Sequence, residues 1–522
     1  MNWDASGLRN DAAVGIIGAG TMGAGIAQIA AAAGHRVLLF DARSGAAAQV
    51  LDKLNADLKK RVDAGKLDST DARALVARIE PVDAIAAVSE AGIVIEAIVE
   101  RLDAKRELLA QLESLVADRT ILASNTSSIS VTALGRDLRL PQRLVGMHFF
   151  NPVPVMKLVE VVSGAATDSA VAHAVADLAV RWGKVPIHAR STPGFVVNRI
   201  ARPFYAEALL LLQDRYATPS QIDAALRAAG FRMGPCELMD LIGHDVNFSV
   251  TESMFAASFF DRRYTPSIVQ RELVDGGLLG RKNGRGFYDY PAEPLAEAAA
   301  TPAQVDTDPP CVSVSGDSFT ITTVGAELSG EGWEVEYANS AGASLGRADN
   351  ILMKDTLLVG DTLICVTDGR PAAQVAAQSG RRHVAVIDII VSEDAGPLCV
   401  AFAPSCGEQQ RAVVRNLLET VGRRPIEIDD APGMVVARTI AMLVNEAADA
   451  VQQGVCDEAS VDTAMKLGTN YPLGPFEWLD KLGAPTVCNL LDHLDAVYRG
   501  ERYRASLLLR RRIWGQAMGT ES

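Results

Sequence analysis

Short apolar runs, each stopped by glycine, asparagine or aspartate, mark the N-terminal third of the chain. The first, Val14–Ile17, leads at once into Gly18-Ala19-Gly20-Thr21-Met22-Gly23. Residues 24–33 are alanine-rich and helical in pattern, and a second run, Val37–Phe40, stops at Asp41. A third follows at 92–98 in GIVIEAIVE. A fourth begins at Thr120 and ends in the polar cluster NTSS (125–128). LVGMHFF (144–150) and, past a proline-interrupted loop, LVEVV (158–162) complete the series. Apolar runs this short, bounded by turn residues, predict buried strands. Their alternation with helical stretches predicts an open parallel sheet.

The glycine spacing adds chemistry to that frame. In GxGxxG, Gly18 permits a tight turn, Gly20 lets backbone approach a pyrophosphate, and Gly23 lets the helix pack closely on the strand. The helix N-terminus offers unpaired N–H groups to phosphate. Asp41, at the end of the second strand, is placed to accept from ribose hydroxyls and would repel a 2′-phosphate. NAD is therefore expected over NADP, with FAD as a sharer of the fingerprint. Glu100 and Lys105 lie just past the third run, where ligands of parallel sheets sit. They are expected either to reach the cofactor or to form a surface ion pair opening a helix over 103–116.

His148 stands between an apolar strand and a loop, and Glu160 sits among valines. Oxidising a secondary alcohol needs a base for the hydroxyl proton, and histidine titrates near neutral pH. A carboxylate on its second nitrogen fixes the tautomer and stabilises the imidazolium. A glutamate inside a buried strand needs a specific partner.

NTSS, HFFNPVPVMKLVEVV and the later TPGFVVNR (192–199) resemble the 3-hydroxyacyl-CoA dehydrogenase family over residues 12–290. The resemblance implies a Rossmann domain followed by an all-α helical domain, with the active site between them. It implies NAD-dependent oxidation of the C3 hydroxyl of a (3S)-3-hydroxyacyl-CoA, with no metal. By the same resemblance, His148 is the base and Glu160 its orienting carboxylate, while Ser127 and Asn198 bond the substrate oxygen. Asp41, Glu100, Lys105, Ser127, Asn151 and Lys282, the last in RKNGRGFYDY, resemble the cofactor contacts. Lys60 and Lys66 are either contacts to CoA phosphates, as in the family, or part of a solvated face.

The helical half repeats. TPGFVVNR (192–199) returns as APGMVVAR (431–438), and GPCELMD (234–240) as GPFEWLD (474–480); Glu207 matches Glu446 and Asp223 matches Asp462. In the second copy Ala437 replaces Asn198. The strand-like runs before it, 363–366 and 383–391, come without GxGxxG and without a counterpart of HFFNP.

The expected layout is an NAD-binding Rossmann domain at 12–191 and a helical domain at 192–290, then an Ala- and Pro-rich linker at 291–310. A degenerate Rossmann-like domain without a cofactor site follows at 311–430, and a second all-α helical domain at 431–522. The two helical copies are expected to pair within the chain as a pseudo-dimer, with further homo-oligomerisation left open. Long forms of this kind resemble enzymes that oxidise 3-hydroxyadipyl-CoA in phenylacetate catabolism, or 3-hydroxybutyryl-CoA dehydrogenases. A dehydrogenase of free hydroxy acids and a non-catalytic nucleotide-binding protein are the competing readings.

Composition narrows the partners. The 522 residues are 48% hydrophobic and 22% charged, with a formal net charge of -14. That balance suits a globular protein with sizeable cores and disfavours nucleic acid or anionic membrane as general partners. No apolar run reaches the ~18 residues of a spanning helix. MNWDASGLRND lacks the pattern of a secretory signal, and no hydratase module precedes the first strand, so a bifunctional β-oxidation protein is not expected. The seven cysteines show no CxxC pair, as in a cytoplasmic protein with reduced thiols.

Overall fold

The computed structural model describes Leu8 and residues 12–290, 311–337, 354–392 and 394–517, so the expected linker 291–310 lies outside the described residues. The chain forms two compact units: Met1–Arg199 with Gln453–Thr469, and Ile200–Gln452 with Asn470–Ser522. Packing therefore groups the elements differently from their order along the sequence. A helix from the second repeat, Glu458–Thr469, belongs to the first unit.

The first unit is built on an eight-stranded sheet. Its strands are β1 (Val14–Ile17), β2 (Val37–Phe40), β3 (Ile79–Val82), β4 (Ile93–Glu96), β5 (Ile121–Ser124), β6 (Leu144–Phe149), β7 (Leu158–Ser163) and β8 (Val185–Arg190). The order is β3-β2-β1-β4-β5-β6-β7-β8. The first six strands are parallel, β7 runs antiparallel to β6, and β8 is parallel to β7. All four residues of β1, β4 and β5 are buried, which is why those strands read as unbroken apolar runs. The strand order reverses between β1 and β4, which makes a crevice at their carboxyl ends.

The second unit carries a seven-stranded sheet and most of the helices. The strands are β9 (Val312–Ser315), β10 (Val335–Tyr337), β11 (Thr356–Val359), β12 (Thr362–Val366), β13 (Val384–Ile387), β14 (Leu398–Phe402) and β15 (Pro425–Glu427). Here the neighbour of β9 is β11, which runs antiparallel to it and turns straight into β12. The carboxyl ends of β9 and β11 thus lie at opposite ends of the sheet, and the β1/β4 type of crevice does not form. Two helix N-termini are occupied by the chain's own carboxylates. Asp355 accepts from Asp317 N and Ser318 N at 3.2 and 3.0 Å, before helix Phe319–Gly330. Asp430 accepts from Ala372 N and Ala373 N at 2.5 and 2.7 Å, opening helix Ala372–Ser379.

The long helices of the two repeats, Arg202–Gln213 and Val436–Gln452, pack against each other. A reciprocal set of buried charges crosses this seam. Glu207 of the first copy accepts from Arg438 Nε at 2.9 Å, Arg502 Nη2 at 2.8 Å and Tyr503 OH at 3.0 Å, all of the second copy. Glu446 of the second copy accepts from Arg263 Nη1 at 3.4 Å and Tyr264 OH at 2.5 Å, both of the first. Arg263-Tyr264 and Arg502-Tyr503 occupy matching places in DRRYTPS and GERYRAS. Equivalent glutamates of the two repeats thus each take an arginine and a tyrosine from the other copy.

Among the described residues no helix is long and apolar enough to cross a membrane. No group of three or more His, Cys, Asp or Glu among them could hold a metal ion, and the cysteines are free.

Burial works to raise the pKa of Glu207, but the charges of Arg502 and Arg438 outweigh it and hold the carboxyl below its ordinary value. Its contribution to stability is therefore complete above the ordinary glutamate range and fades as pH falls through the lowered value. Glu207→Ala would leave two buried guanidinium groups without their partner, a loss of about 3–5 kcal/mol. Arg271→Ala, which breaks an exposed pair with Asp275, should cost less than about 1 kcal/mol. Denaturant midpoints of the two variants at neutral pH, and of the parent down a pH series, check both statements.

Candidate active site

The β6/β7 hairpin sets His148 directly opposite Glu160. In an antiparallel pair, opposed side chains share one face, so this register brings the two groups together. His148 Nδ1 lies 2.5 Å from Glu160 Oε2, and both residues are buried, at 6% and 0% exposure. A carboxylate acceptor at Nδ1 assigns the proton to that nitrogen and leaves Nε2 as the basic one. Phe150 and Phe195 flank the imidazole, with centroids 4.6 and 5.9 Å away.

Glu160 has a second duty. Its Oε1 accepts from Val196 N at 3.0 Å and Val197 N at 2.9 Å, in the turn TPGFVVNR. Gly194 and Phe195 both adopt positive φ there, 74° and 48°. The same turn presents Asn198, whose Nδ2 donates to Ser127 O at 3.3 Å. Asn125 Oδ1 accepts from Phe149 N at 2.9 Å and ties the NTSS loop to the end of β6. One carboxylate thus connects the histidine strand to the asparagine turn.

Glu100 organises the NTSS loop. Its Oε1 accepts from Thr126 Oγ1 at 2.7 Å, Ser127 N at 2.8 Å, Ser128 N at 3.1 Å, and the hydroxyls of Ser127 and Ser128 at 3.2 and 3.1 Å. Partial burial would raise its pKa; the Lys105 charge and these donors outweigh that and lower it. Lys105 forms the ion pair with Glu100 that the spacing allowed, but not at the surface: it is 1% exposed. Its Nζ donates to both oxygens of Glu96 at 2.9 Å and reaches Glu100 Oε2 at 3.2 Å. Glu96, fully buried at the end of β4, also accepts from the Ser124 hydroxyl. Sequence reading passed over Glu96; its only signal is a glutamate inside an apolar run, the same signal that singled out Glu160.

At the end of β1 the glycine turn has the shape its spacing predicts. Gly18 has φ +106°, and a Cβ there would stand 2.5 Å from Ala97 O. A Cβ on Gly23 would stand 1.8 Å from Gly18 O, whereas one on Gly20 would meet nothing within 4 Å. Helix Thr21–Ala32 begins with no side-chain cap, so its N-terminal donors face an open cradle suited to pyrophosphate. Asp41 Oδ2 accepts from Ala19 N at 2.7 Å, and Oδ1 from Arg43 N and Nε at 2.9 and 3.0 Å. Desolvation opposes ionisation of Asp41, but the bonds from Arg43 and Ala19 prevail and lower its pKa. The carboxylate therefore stays charged.

The other candidates are scattered. Asn151 is exposed in the loop after β6 and precedes Pro152 in a cis peptide. That loop is pinned by the buried Lys184, whose Nζ donates to the carbonyls of Val153 and Met156. Lys60 is exposed and pairs with Asp57 at 3.0 Å, and Lys66 is exposed in the following turn. Lys282 lies in the second unit, in the exposed turn Arg281–Asn283, paired with Asp245.

The second sheet shows what has changed at the matching place. Val159 pairs with Pro186, and Leu398 pairs with the equivalent Pro425. Cys399 therefore stands at the Glu160 position, and Asp388 at the His148 position. HFFNP thus has a positional counterpart that residue identity did not reveal. Asp388 accepts from Val435 N, Val436 N and Ala437 N at 2.9, 2.7 and 2.9 Å, the equivalents of the donors to Glu160. Burial pushes its pKa up to about 6 against the pull of those N–H groups. The anchoring carboxylate has moved across the hairpin, and no histidine stands opposite it.

The NAD binding domain model of 3-hydroxyacyl-CoA dehydrogenase matches residues 13–192. The C-terminal domain model of that enzyme matches twice, at 194–290 and 433–522. The 3-hydroxybutyryl-CoA dehydrogenase reduced Rossmann-fold domain matches 364–432. The chain is 42% identical to 3-hydroxyadipyl-CoA dehydrogenase of Escherichia coli K12, over 97% of this chain and 98% of that relative. It is 41% identical to a probable 3-hydroxybutyryl-CoA dehydrogenase of Bacillus subtilis, over 53% of this chain and 96% of that protein. The crystal structure of 3-hydroxybutyryl-CoA dehydrogenase from Escherichia coli K12 superposes with a TM-score of 0.83 at 41% identity, covering 98% of this chain and 99% of that one.

The open space at Gly20 makes a clean test of the cradle. Gly20→Val should fold with a parental unfolding midpoint, yet bind NADH at least about tenfold more weakly, since the side chain fills the approach to the phosphates. Gly23→Val, forced against Gly18 O, should fail to fold or unfold at lower temperature. NADH fluorescence titration and thermal melts read the two effects separately.

Proposed function

Because the chain belongs to the 3-hydroxyacyl-CoA dehydrogenase family, we propose that His148 and Glu160 form the acid–base pair of its reaction. That reaction is the reversible NAD-dependent oxidation of a 3-hydroxyacyl-CoA to the 3-ketoacyl-CoA. The observation that carries the assignment is the 2.5 Å contact between His148 Nδ1 and Glu160 Oε2, with the second carboxylate oxygen already held by two backbone donors.

His148 Nε2 takes the C3 hydroxyl proton of the (3S)-substrate. Glu160, unable to rotate, stabilises the imidazolium that forms. Ser127 and Asn198 hold the oxygen as it becomes a carbonyl. Bound NAD supplies the hydride acceptor. The uncapped helix after β1 and the open cradle at Gly20 suit its pyrophosphate, with Gly18 and Gly23 shaping the turn. Asp41 accepts from a ribose, and Glu100 and Asn151 complete the cofactor contacts of the first unit. Lys105 serves by holding Glu100. Lys60 and Lys66 are offered to CoA phosphates.

The substrate is 3-hydroxyadipyl-CoA or 3-hydroxybutyryl-CoA, after the relatives named above, and the setting is cytoplasmic phenylacetate or fatty acid catabolism. Among its described residues the second half is read as making no cofactor site: its sheet lacks the crevice, Asp430 takes the first donors of helix Ala372–Ser379, and Asp355 those just before helix Phe319–Gly330. Its helical copy acts as the partner of an intrachain pseudo-dimer.

Initial rates of NAD reduction with 3-hydroxyadipyl-CoA, 3-hydroxybutyryl-CoA and the corresponding free acids decide substrate class. Turnover of the free acids alone would overturn the CoA-thioester assignment. His148→Gln should lower kcat by about 10²–10⁴-fold with NAD affinity kept; near-parental turnover would remove His148 as the base. Deleting 300–522 uncovers the apolar face of helix Arg202–Gln213. The truncated chain should then self-associate or precipitate, and a well-behaved monomer in sedimentation would refute the pseudo-dimer.

A further inference from the structure

The catalytic unit contains one segment from far along the chain, Gln453–Thr469 of the second repeat. Val455 O accepts from Arg190 N at 2.8 Å, extending the hydrogen bonding of edge strand β8. Gln453 Oε1 accepts from Arg199 Nη1 at 2.9 Å, and Gln453 O from Arg190 Nη1 at 3.2 Å. Helix Glu458–Thr469 then packs across β7 and β8, burying Val461, Ala464 and Met465.

The contact is tightest at Gly468. A Cβ there would lie 2.9 Å from Leu158 Cδ2 and 3.1 Å from Val197 Cγ2. Leu158 begins the strand that carries Glu160. Val197 N is one of the two donors to Glu160 Oε1 and immediately precedes Asn198. Arg199, held by Gln453, ends the same turn. The segment therefore grips that turn on both sides of Asn198. Glu160 is also near enough to Cys456 to help raise its thiol pKa, behind desolvation and Asp457.

We infer that Gly468 and Gln453 of the second half are positioning residues for the reaction: they fix the Val196–Asn198 backbone that aims the His148–Glu160 pair and the Asn198 amide. This rests on the dehydrogenase reading above. The second half is then part of the working site, beyond its pairing of helices. The opposite exchange has no such use. Helix Pro219–Ala228 of the first repeat packs on β14, where Ala229 and Val436 stand in the places of Gly468 and Val197, beside Asp388 and no base.

A positioning role separates from a merely structural one by which constant it moves. Gly468→Val, in the full chain, should lower kcat tenfold or more, with KM for the acyl-CoA and NADH affinity within about twofold of the parent. Gly468→Ala should show a smaller loss. Adding Leu158→Val, which removes the atom that a Cβ at 468 would strike first, should recover most of it. Gln453→Ala, which removes the bond to Arg199 Nη1, should lower kcat at least threefold. Folded variants, judged by melting and NADH binding, with kcat within twofold of the parent would overturn the inference. If Gly468→Val does not fold, Gln453→Ala and the Gly468→Ala/Leu158→Val pair decide alone. Failure of the parent chain to oxidise any 3-hydroxyacyl-CoA would instead count against the dehydrogenase reading and is measured separately.

Discussion

A single buried carboxylate, that of Glu160, couples the sheet to the helical turn that follows it. One oxygen meets His148 and the other meets Val196 N and Val197 N. A charge with no access to water is tolerable only when its lone pairs are satisfied by strong donors. Those same donors remove its freedom to rotate. The histidine on the neighbouring strand therefore takes its orientation from that carboxylate together with the flanking rings of Phe150 and Phe195. Asn198 follows from that anchor through the turn and reaches the NTSS loop at Ser127 O, while Glu100 holds that loop separately.

The reduced half shows which part of this arrangement is structural. Asp388 still receives the backbone donors of its turn, although it sits on the other strand of the hairpin. In both halves the seam between sheet and turn is held by a carboxylate, whereas the histidine is present only in the first. The same half also closes the places where a dinucleotide would dock. A hairpin replaces the strand crossover beside β9, and carboxylates replace phosphate at two helix ends. What survives in full is the long-helix seam, with Glu207 and Glu446 each bound by the other copy.

Much of the first sheet was legible in the residues. Fully buried parallel strands leave unbroken apolar runs, and the glycine turn announces the strand, helix and acidic residue around it. The pairing of His148 with Glu160 was legible from their chemistry, a histidine at a strand end and a glutamate among valines, but not the antiparallel turn of β7 that sets them opposite each other. The fate of Lys105 was not. GIVIEAIVE carries two glutamates, and nothing in the run says that Glu96 points inward while Glu100 gathers the loop. Strand direction in the second sheet was equally hidden, since a short apolar run is the same pattern in either sense. The move of the carboxylate from the Glu160 position to Asp388 escapes any comparison of residue identity. The home of helix Glu458–Thr469 escaped because its amphipathic pattern specifies a buried face and not which sheet will bury it.

That displaced helix has a consequence for how the protein is made. The strands of the catalytic unit are complete at Arg190, yet its last element ends at Thr469, about 270 residues after Arg199. At ~5–20 residues per second of synthesis, the unit stands open for roughly 15–50 s. During that interval the outer face of β7 and β8 lacks its cover. A nascent chain in this state presents an unfinished sheet edge to chaperones and to other chains, and the unit closes only once Thr469 has left the ribosome.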